Sequence, residues 1–187
     1  MKTYILSGGN SSRMGEDKGL KPLNGKPLIA YILTTAQSLG LEIKIIANSD
    51  GYAKFNTPVI PDKIKNKGPM GGIYTALCDA GEDVLILSAD TPLIPREIIS
   101  TLIWVKFSDF IHIVRYNDKI QPLCGIYPYS ILKILENRIE SSRLKMMELM
   151  DEVPTKFLNE KGKIETFINV NTPEDFTFVE IHLQNEN

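Results

Sequence analysis

Short apolar runs of strand length alternate with longer stretches of helical periodicity along the whole chain. Residues 3–6 (TYIL), 42–47 (EIKIIA) and 83–88 (DVLILS) are predicted strands; the last is apolar in the manner of a strand buried on both faces. Residues 26–40 (KPLIAYILTTAQSLG) place Leu28, Ile32, Ala36 and Leu39 on one helical face and stop at Gly40. TPVIPD at 57–62 reads as a short extended piece. A glycine-bearing loop then opens a helix at Ile73, which Gly81 stops. Residues 95–107 form a predicted helix with Pro95 near its first turn. DFIHIVRY and QPLCGIYP read as two strands joined around Asn117 and Asp118, followed by two helical stretches, YSILKILENRIE and SSRLKMMELMDEV. ETFINV (165–170) is predicted as a last strand and TPEDFTFVEIHL as a last helix.

Strand alternating with helix is the pattern of an α/β protein whose mostly parallel sheet is covered on both faces. Ligands bind such sheets beyond the carboxyl ends of the strands. The chemically unusual residues fall there: SGGNSSRMGEDKG after the first strand, ANSD after the second, ADTPLIP after the apolar one and NVNTPED after the last. With 187 residues and no internal repeat or linker, the expectation is a single domain over 1–187. A formal charge of −2 gives no reason to expect nucleic acid or a membrane surface as partner. No apolar run is long enough to cross a bilayer, and no signal-peptide plan is visible, so a cytoplasmic location is the expectation. Cys78 and Cys124 are far apart and lack a CxxC or Cys/His pattern, as expected for reduced core thiols.

Gly8, Gly9 and Gly15 let backbone N–H groups turn inward around an anion. Arg13 and Lys18 add full positive charges, and an arginine can fork onto two phosphate oxygens. Glycines alone would read as a turn; glycines with these cations read as a polyphosphate cradle. It is neither GxxxxGK[ST] nor GxGxxG.

The stretch LSGGNSSRMGEDKGLKPLNGKPLI, together with VIPD, GPMGGIYTAL, SADTPLIP, QPLCGIY and NVNTPED in the same order, resembles the molybdenum cofactor guanylyltransferases (MobA). Ser7 stands where that family usually has alanine. The resemblance implies a three-layer α/β/α sandwich with a Rossmann-like sheet, of the nucleotide-diphospho-sugar transferase type. It implies transfer of GMP from Mg-GTP to the terminal phosphate of Mo-molybdopterin, releasing pyrophosphate, with Mg²⁺ as cofactor. Proteins that deliver or accept the molybdenum cofactor are candidate partners. Carried over by motif, Arg13, Lys18 and Asp90 are the expected catalytic residues. Leu6, Ser7, Gly8, Gly9, Lys18, Asn48, Asp62, Gly68 and Asp90 are the expected nucleotide contacts. Gln121, Asn169 and Asn171 are expected on the acceptor side.

The residues themselves support several of these assignments. Asp90 follows a buried strand, where a carboxylate suits Mg²⁺, which takes one or two carboxylates with phosphate oxygens and water. Without the metal, Asp90 is a turn residue before Thr91-Pro92. Asp62 can accept from guanine or from ribose hydroxyls. Thr172, Pro173 and Asp175 have the spacing of a capping box, which leaves Asn169 and Asn171 for a pterin edge or for loop backbone. Lys63, Lys65 and Lys67 read as a solvated face that can also attract anions. His112, His182 and the methionines at 146, 147 and 150 carry no assigned chemistry. Related readings are a nucleotidyltransferase that uses CTP or a sugar or alditol phosphate acceptor, and a nucleotide-binding module without catalysis.

Overall fold

The structure, a computed structural model, describes residues 1–8, 17–104 and 109–185. Strand β1 (Lys2–Leu6) leads through a small hairpin, β2 (Pro22–Leu23) and β3 (Lys26–Pro27), into helix α1 (Leu28–Ser38). Then come β4 (Glu42–Ile46), β5 (Val59–Ile60), α2 (Gly68–Ala80), β6 (Val84–Ser88) and α3 (Arg96–Trp104). The chain continues through β7 (Ile111–Tyr116), β8 (Lys119–Tyr127), α4 (Leu132–Glu140), α5 (Met146–Glu152), β9 (Thr155–Glu160) and α6 (Pro173–Asn185).

Seven strands form one sheet in the order β5-β4-β1-β6-β8-β7-β9. All are parallel except β8, which runs against both of its neighbours. Its reversal comes from the turn at Asn117 and Asp118, with φ of 46° and 65°. Asparagine and aspartate tolerate the left-handed conformation that such a two-residue hairpin requires at both centres. A bulge follows, at which Ile113 pairs with Gly125 while Val114 pairs with Gln121.

Side chains alternate across each strand, so the sheet divides its apolar residues between two cores. Ile5, Ile45, Leu85 and Leu87 meet α1 and α3 on one face. Tyr4, Leu6, Ile46, Val84 and Ile86 meet α2, α4 and α5 on the other. This is the expected three-layer α/β/α arrangement. Every residue of β6 is buried, and each buried aliphatic side chain contributes about 1.5–3 kcal/mol. A third, smaller cluster of Leu23, Leu28, Val170 and Val179 ties the β2–β3 hairpin to α6. Among the described residues, no helix is long and apolar enough to cross a membrane.

Two expectations are corrected. ETFINV does not add a strand: Ile164–Phe167 is a 3-10 turn, and the last strand is β9 instead. Phe167 is buried against Tyr116, with ring centroids 4.7 Å apart, so burial of this apolar stretch is met without a ladder. Helix α2 opens at Gly68, not at Ile73. Gly72 lies inside it and packs closely on Leu6: a Cβ there would sit 3.0 Å from both methyls of that residue.

Candidate active site

The carboxyl ends of β4, β1 and β6 lie side by side, because these parallel strands are neighbours. Backbone bonds carry the ladder past the strand ends: Ser7 N donates to Ile46 O (2.9 Å) and Ala89 N to Leu6 O (3.0 Å). Ser7, Asn48 and Asp90 therefore emerge on one edge. Gly8 follows Ser7 and is exposed. Leu6 and Ser7 are buried.

Lys18 begins the 3-10 turn Lys18–Leu20, which Asp17 caps by accepting from Gly19 N at 3.2 Å. Its Nζ donates to Asp90 Oδ2 at 3.1 Å and to Asn171 Oδ1 at 2.6 Å. The Lys18 and Asp90 side chains are 20% and 26% exposed, so the pair is neither dry nor freely solvated. The other carboxylate oxygen of Asp90 accepts from Ser88 Oγ, and its carbonyl accepts from Val170 N at 2.8 Å. That backbone bond, with burial of Val170, holds the 169–171 segment beside the end of β6. Val170 faces inward while Asn169 and Asn171 are exposed.

The helix that follows is capped as its sequence predicts. Thr172 Oγ1 accepts from Asp175 N (3.2 Å), and Asp175 Oδ2 accepts from Thr172 N and Asn171 N (both 2.8 Å). The Asn171 N–H, ahead of the other donors, holds the Asp175 carboxyl below its usual range.

A second polar pair stands on the β4 side. Asn48 Nδ2 donates to Asp62 Oδ2 (2.7 Å) and Asp62 N donates to Asn48 Oδ1 (3.1 Å). A bond from Ala47 N to Ile60 O (3.1 Å) sets the two loops at this distance. Gly68, exposed with φ of 56°, opens α2. Gln121 lies half-buried on β8, opposite Val114 of β7 at the bulge. The structure thus joins Lys18, Asp90 and Asn171 directly, and Asn48 to Asp62 directly. Gly9 and Arg13 lie outside the described residues.

Three contributors are not among the expected site residues. Ser88 sits two residues before Asp90 and fixes its carboxylate. Asp17 and Tyr52 hydrogen-bond at 2.5 Å, and Tyr52 also meets Ser7 Oγ at 2.6 Å. Asp17 is readable as a cap; Tyr52 gives no local signal. The cysteines are both free: Cys124 is buried, which pushes its thiol up to about 12, and Cys78 is half-buried.

A cation, a carboxylate fixed from behind and an amide gathered at the carboxyl ends of parallel strands suit phosphate transfer from a nucleotide. Comparison with known proteins agrees. The family described as the MobA-like NTP transferase domain matches residues 3–154. The chain is 38% identical to a probable molybdenum cofactor guanylyltransferase of Flavobacterium johnsoniae over 98% of both chains. It is 34% identical to the molybdenum cofactor guanylyltransferase of Vibrio vulnificus over 92% of this chain and 91% of that one. A crystal structure of molybdopterin-guanine dinucleotide biosynthesis protein A from Archaeoglobus fulgidus has the same fold, with a TM-score of 0.81, 22% identity and coverage of 99% and 100% of the two chains. The chain belongs to the MobA-like NTP transferase family and is a nucleotidyltransferase.

Proposed function

We propose that the protein transfers GMP from GTP to the terminal phosphate of Mo-molybdopterin. The observation that carries this reading is the Lys18 ammonium held between Asp90 and Asn171 at the carboxyl edge of the sheet. A phosphate oxygen of the acceptor attacks the α-phosphorus of GTP. The bond from that phosphorus to the β-phosphate bridging oxygen breaks, and pyrophosphate leaves with the electron pair. The attacking group is already an anion, so no strong general base is needed, and catalysis rests on positioning and charge neutralisation. In this reading Lys18, Arg13 and the glycine loop of Ser7, Gly8 and Gly9 are assigned to the β- and γ-phosphates. Asn48, Asp62 and Gly68 hold the nucleoside side. Gln121, Asn169 and Asn171 bind the pterin acceptor.

Among the described residues, no group of three or more acidic, histidine or cysteine side chains could hold a metal by itself. The Asp90 carboxylate at the end of β6 would suit Mg²⁺, which takes one or two carboxylates with phosphate oxygens and water. Bound there, Mg²⁺ would neutralise charge on the phosphates; the two oxygens of Asp90 have lone pairs beyond those used by Ser88 and Lys18. The test is pyrophosphate release from GTP and from CTP, each with Mo-molybdopterin. GTP should be strongly preferred, and equal turnover of the two would overturn the guanylyl assignment.

A further inference from the structure

Tyr52 is fully buried in the short 3-10 helix Asp50–Phe55 that follows β4, and is not itself among the expected substrate contacts. A tyrosine hydroxyl so placed needs partners, and it finds two from distant parts of the chain. Its Oη lies 2.5 Å from Asp17 Oδ1 and 2.6 Å from Ser7 Oγ. Burial, ahead of the Asp17 hydrogen bond, raises the phenol well above its usual range, so it stays protonated. A carboxylate only accepts, so the Tyr52 proton goes to Asp17 and the Ser7 hydroxyl donates to Tyr52. The result is an ordered relay from Ser7 through Tyr52 to Asp17. It fixes the end of β1 and the start of the Lys18 turn to the same ring.

Backbone packing reinforces the relay. A Cβ on Gly19 would overlap Ser7 Oγ and stand 2.5 Å from Tyr52 Oη. A Cβ on Gly51 would overlap Leu20 Cδ1. The two 3-10 turns are thus pressed together, each presenting a glycine to the other, and Lys18 is the first residue of one of them.

We propose that Tyr52 is a positioning residue: through its hydrogen bonds to Asp17 and Ser7 it sets where the Lys18 ammonium stands relative to Asp90. The geometric part of this assignment is independent of the function proposed above; its kinetic consequence rests on that function.

Tyr52→Phe removes both hydrogen bonds and keeps the ring, and Ser7→Ala removes only the outer one. The first readout is acylation of lysines in the intact, ligand-free protein by an N-hydroxysuccinimide ester, followed by mass spectrometry. In Tyr52→Phe the labelling rate of Lys18 should rise severalfold, with a smaller rise in Ser7→Ala and no change at the exposed Lys133. An unchanged Lys18 rate in Tyr52→Phe overturns the positioning. The second readout is transfer kinetics. Tyr52→Phe should lower kcat/KM for Mg-GTP about tenfold, as a small misplacement of a charged group does. In a Lys18→Met background the same change should produce no further loss, because both act through one group. Full additivity overturns the assignment to Lys18. Faster Lys18 labelling combined with wild-type kinetics in every variant would leave the positioning standing and remove Lys18 from the proposed reaction.

Discussion

Lys18→Met separates the structural share of the ammonium from its share in the reaction. The side chain keeps its reach and loses its charge. Nζ makes two hydrogen bonds, to Asp90 at 3.1 Å and Asn171 at 2.6 Å, with the ion pair 20% and 26% exposed. At that exposure solvent screens much of the pair. Asp90 also keeps its bond from Ser88, so no carboxylate is left without a partner. The expected loss of stability is about 1 kcal/mol, which for a chain of 187 residues lowers Tm by roughly 2–4 °C. The transition state should feel the change far more. Charge on the departing pyrophosphate grows during the reaction, and loss of one preorganised donor aimed at such charge lowers kcat about 10²–10³-fold, equivalent to roughly 2.7–4 kcal/mol. Thermal unfolding and pyrophosphate release, measured on the same preparation at saturating Mo-molybdopterin, read the two effects separately. A drop in Tm with kcat unchanged would show that Lys18 is only a link between the ends of the fold.

Asp90→Asn keeps the shape of the side chain and an oxygen for Ser88 Oγ; it should lower transfer at least about 10²-fold and flatten its dependence on Mg²⁺ concentration. A wild-type magnesium titration would count against Asp90 as ligand. Asp175→Ala removes the acceptor for two backbone N–H groups at the start of α6 and should destabilise the protein by about 1 kcal/mol in urea unfolding; no change would mean that the cap is not used. Asp79 is held below its usual carboxyl range first by the hydrogen bond from Lys44 and then by that from Tyr4. A depressed carboxyl contributes stability that is complete above its unfolded value and lost as pH falls through the folded one. The advantage of wild type over Asp79→Asn in urea unfolding should therefore be present at neutral pH and shrink below pH 3.8; a gap independent of pH would contradict this.

The central strands are legible in the sequence because burial on both faces leaves unbroken apolar runs, as in β6. Strand β9 is not, because it lies at the sheet edge and only its inward residues pack: Phe157 and Leu158 are partly buried while Lys156 and Asn159 are exposed. Residues 165–170 show the converse. Phe167 and Val170 are buried, but against a ring and a small cluster rather than in a ladder, and hydropathy cannot tell these apart. The start of α2 is hidden for another reason. Glycine in a helix costs about 1 kcal/mol relative to alanine, so local propensity reads Gly71-Gly72 as loop, while in the fold Gly72 packs closely against Leu6.

The candidate site divides along the same line between local and distant causes. Asp90 and Asn171 lie 72 and 153 positions from Lys18. Asn171 follows no strand and is brought beside Asp90 by the backbone bond from Val170 N to Asp90 O. Lys18 and Asp90 are readable by themselves, because in a parallel sheet every strand delivers its following loop to the same edge. Strand direction does the assembling, and it is visible as alternation of strand and helix. Tyr52 has no such rule behind it. Its partners lie 45 and 35 residues away, and its position follows from two 3-10 turns docking through Gly19 and Gly51. In sequence those glycines look like two more permissive turns. In the fold a side chain at Gly19 would stand where the tyrosine hydroxyl meets Ser7, and one at Gly51 would press on Leu20. The proposed positioning of Lys18 is therefore legible in the packing around Gly19 and Gly51 and not in the spacing of the motif.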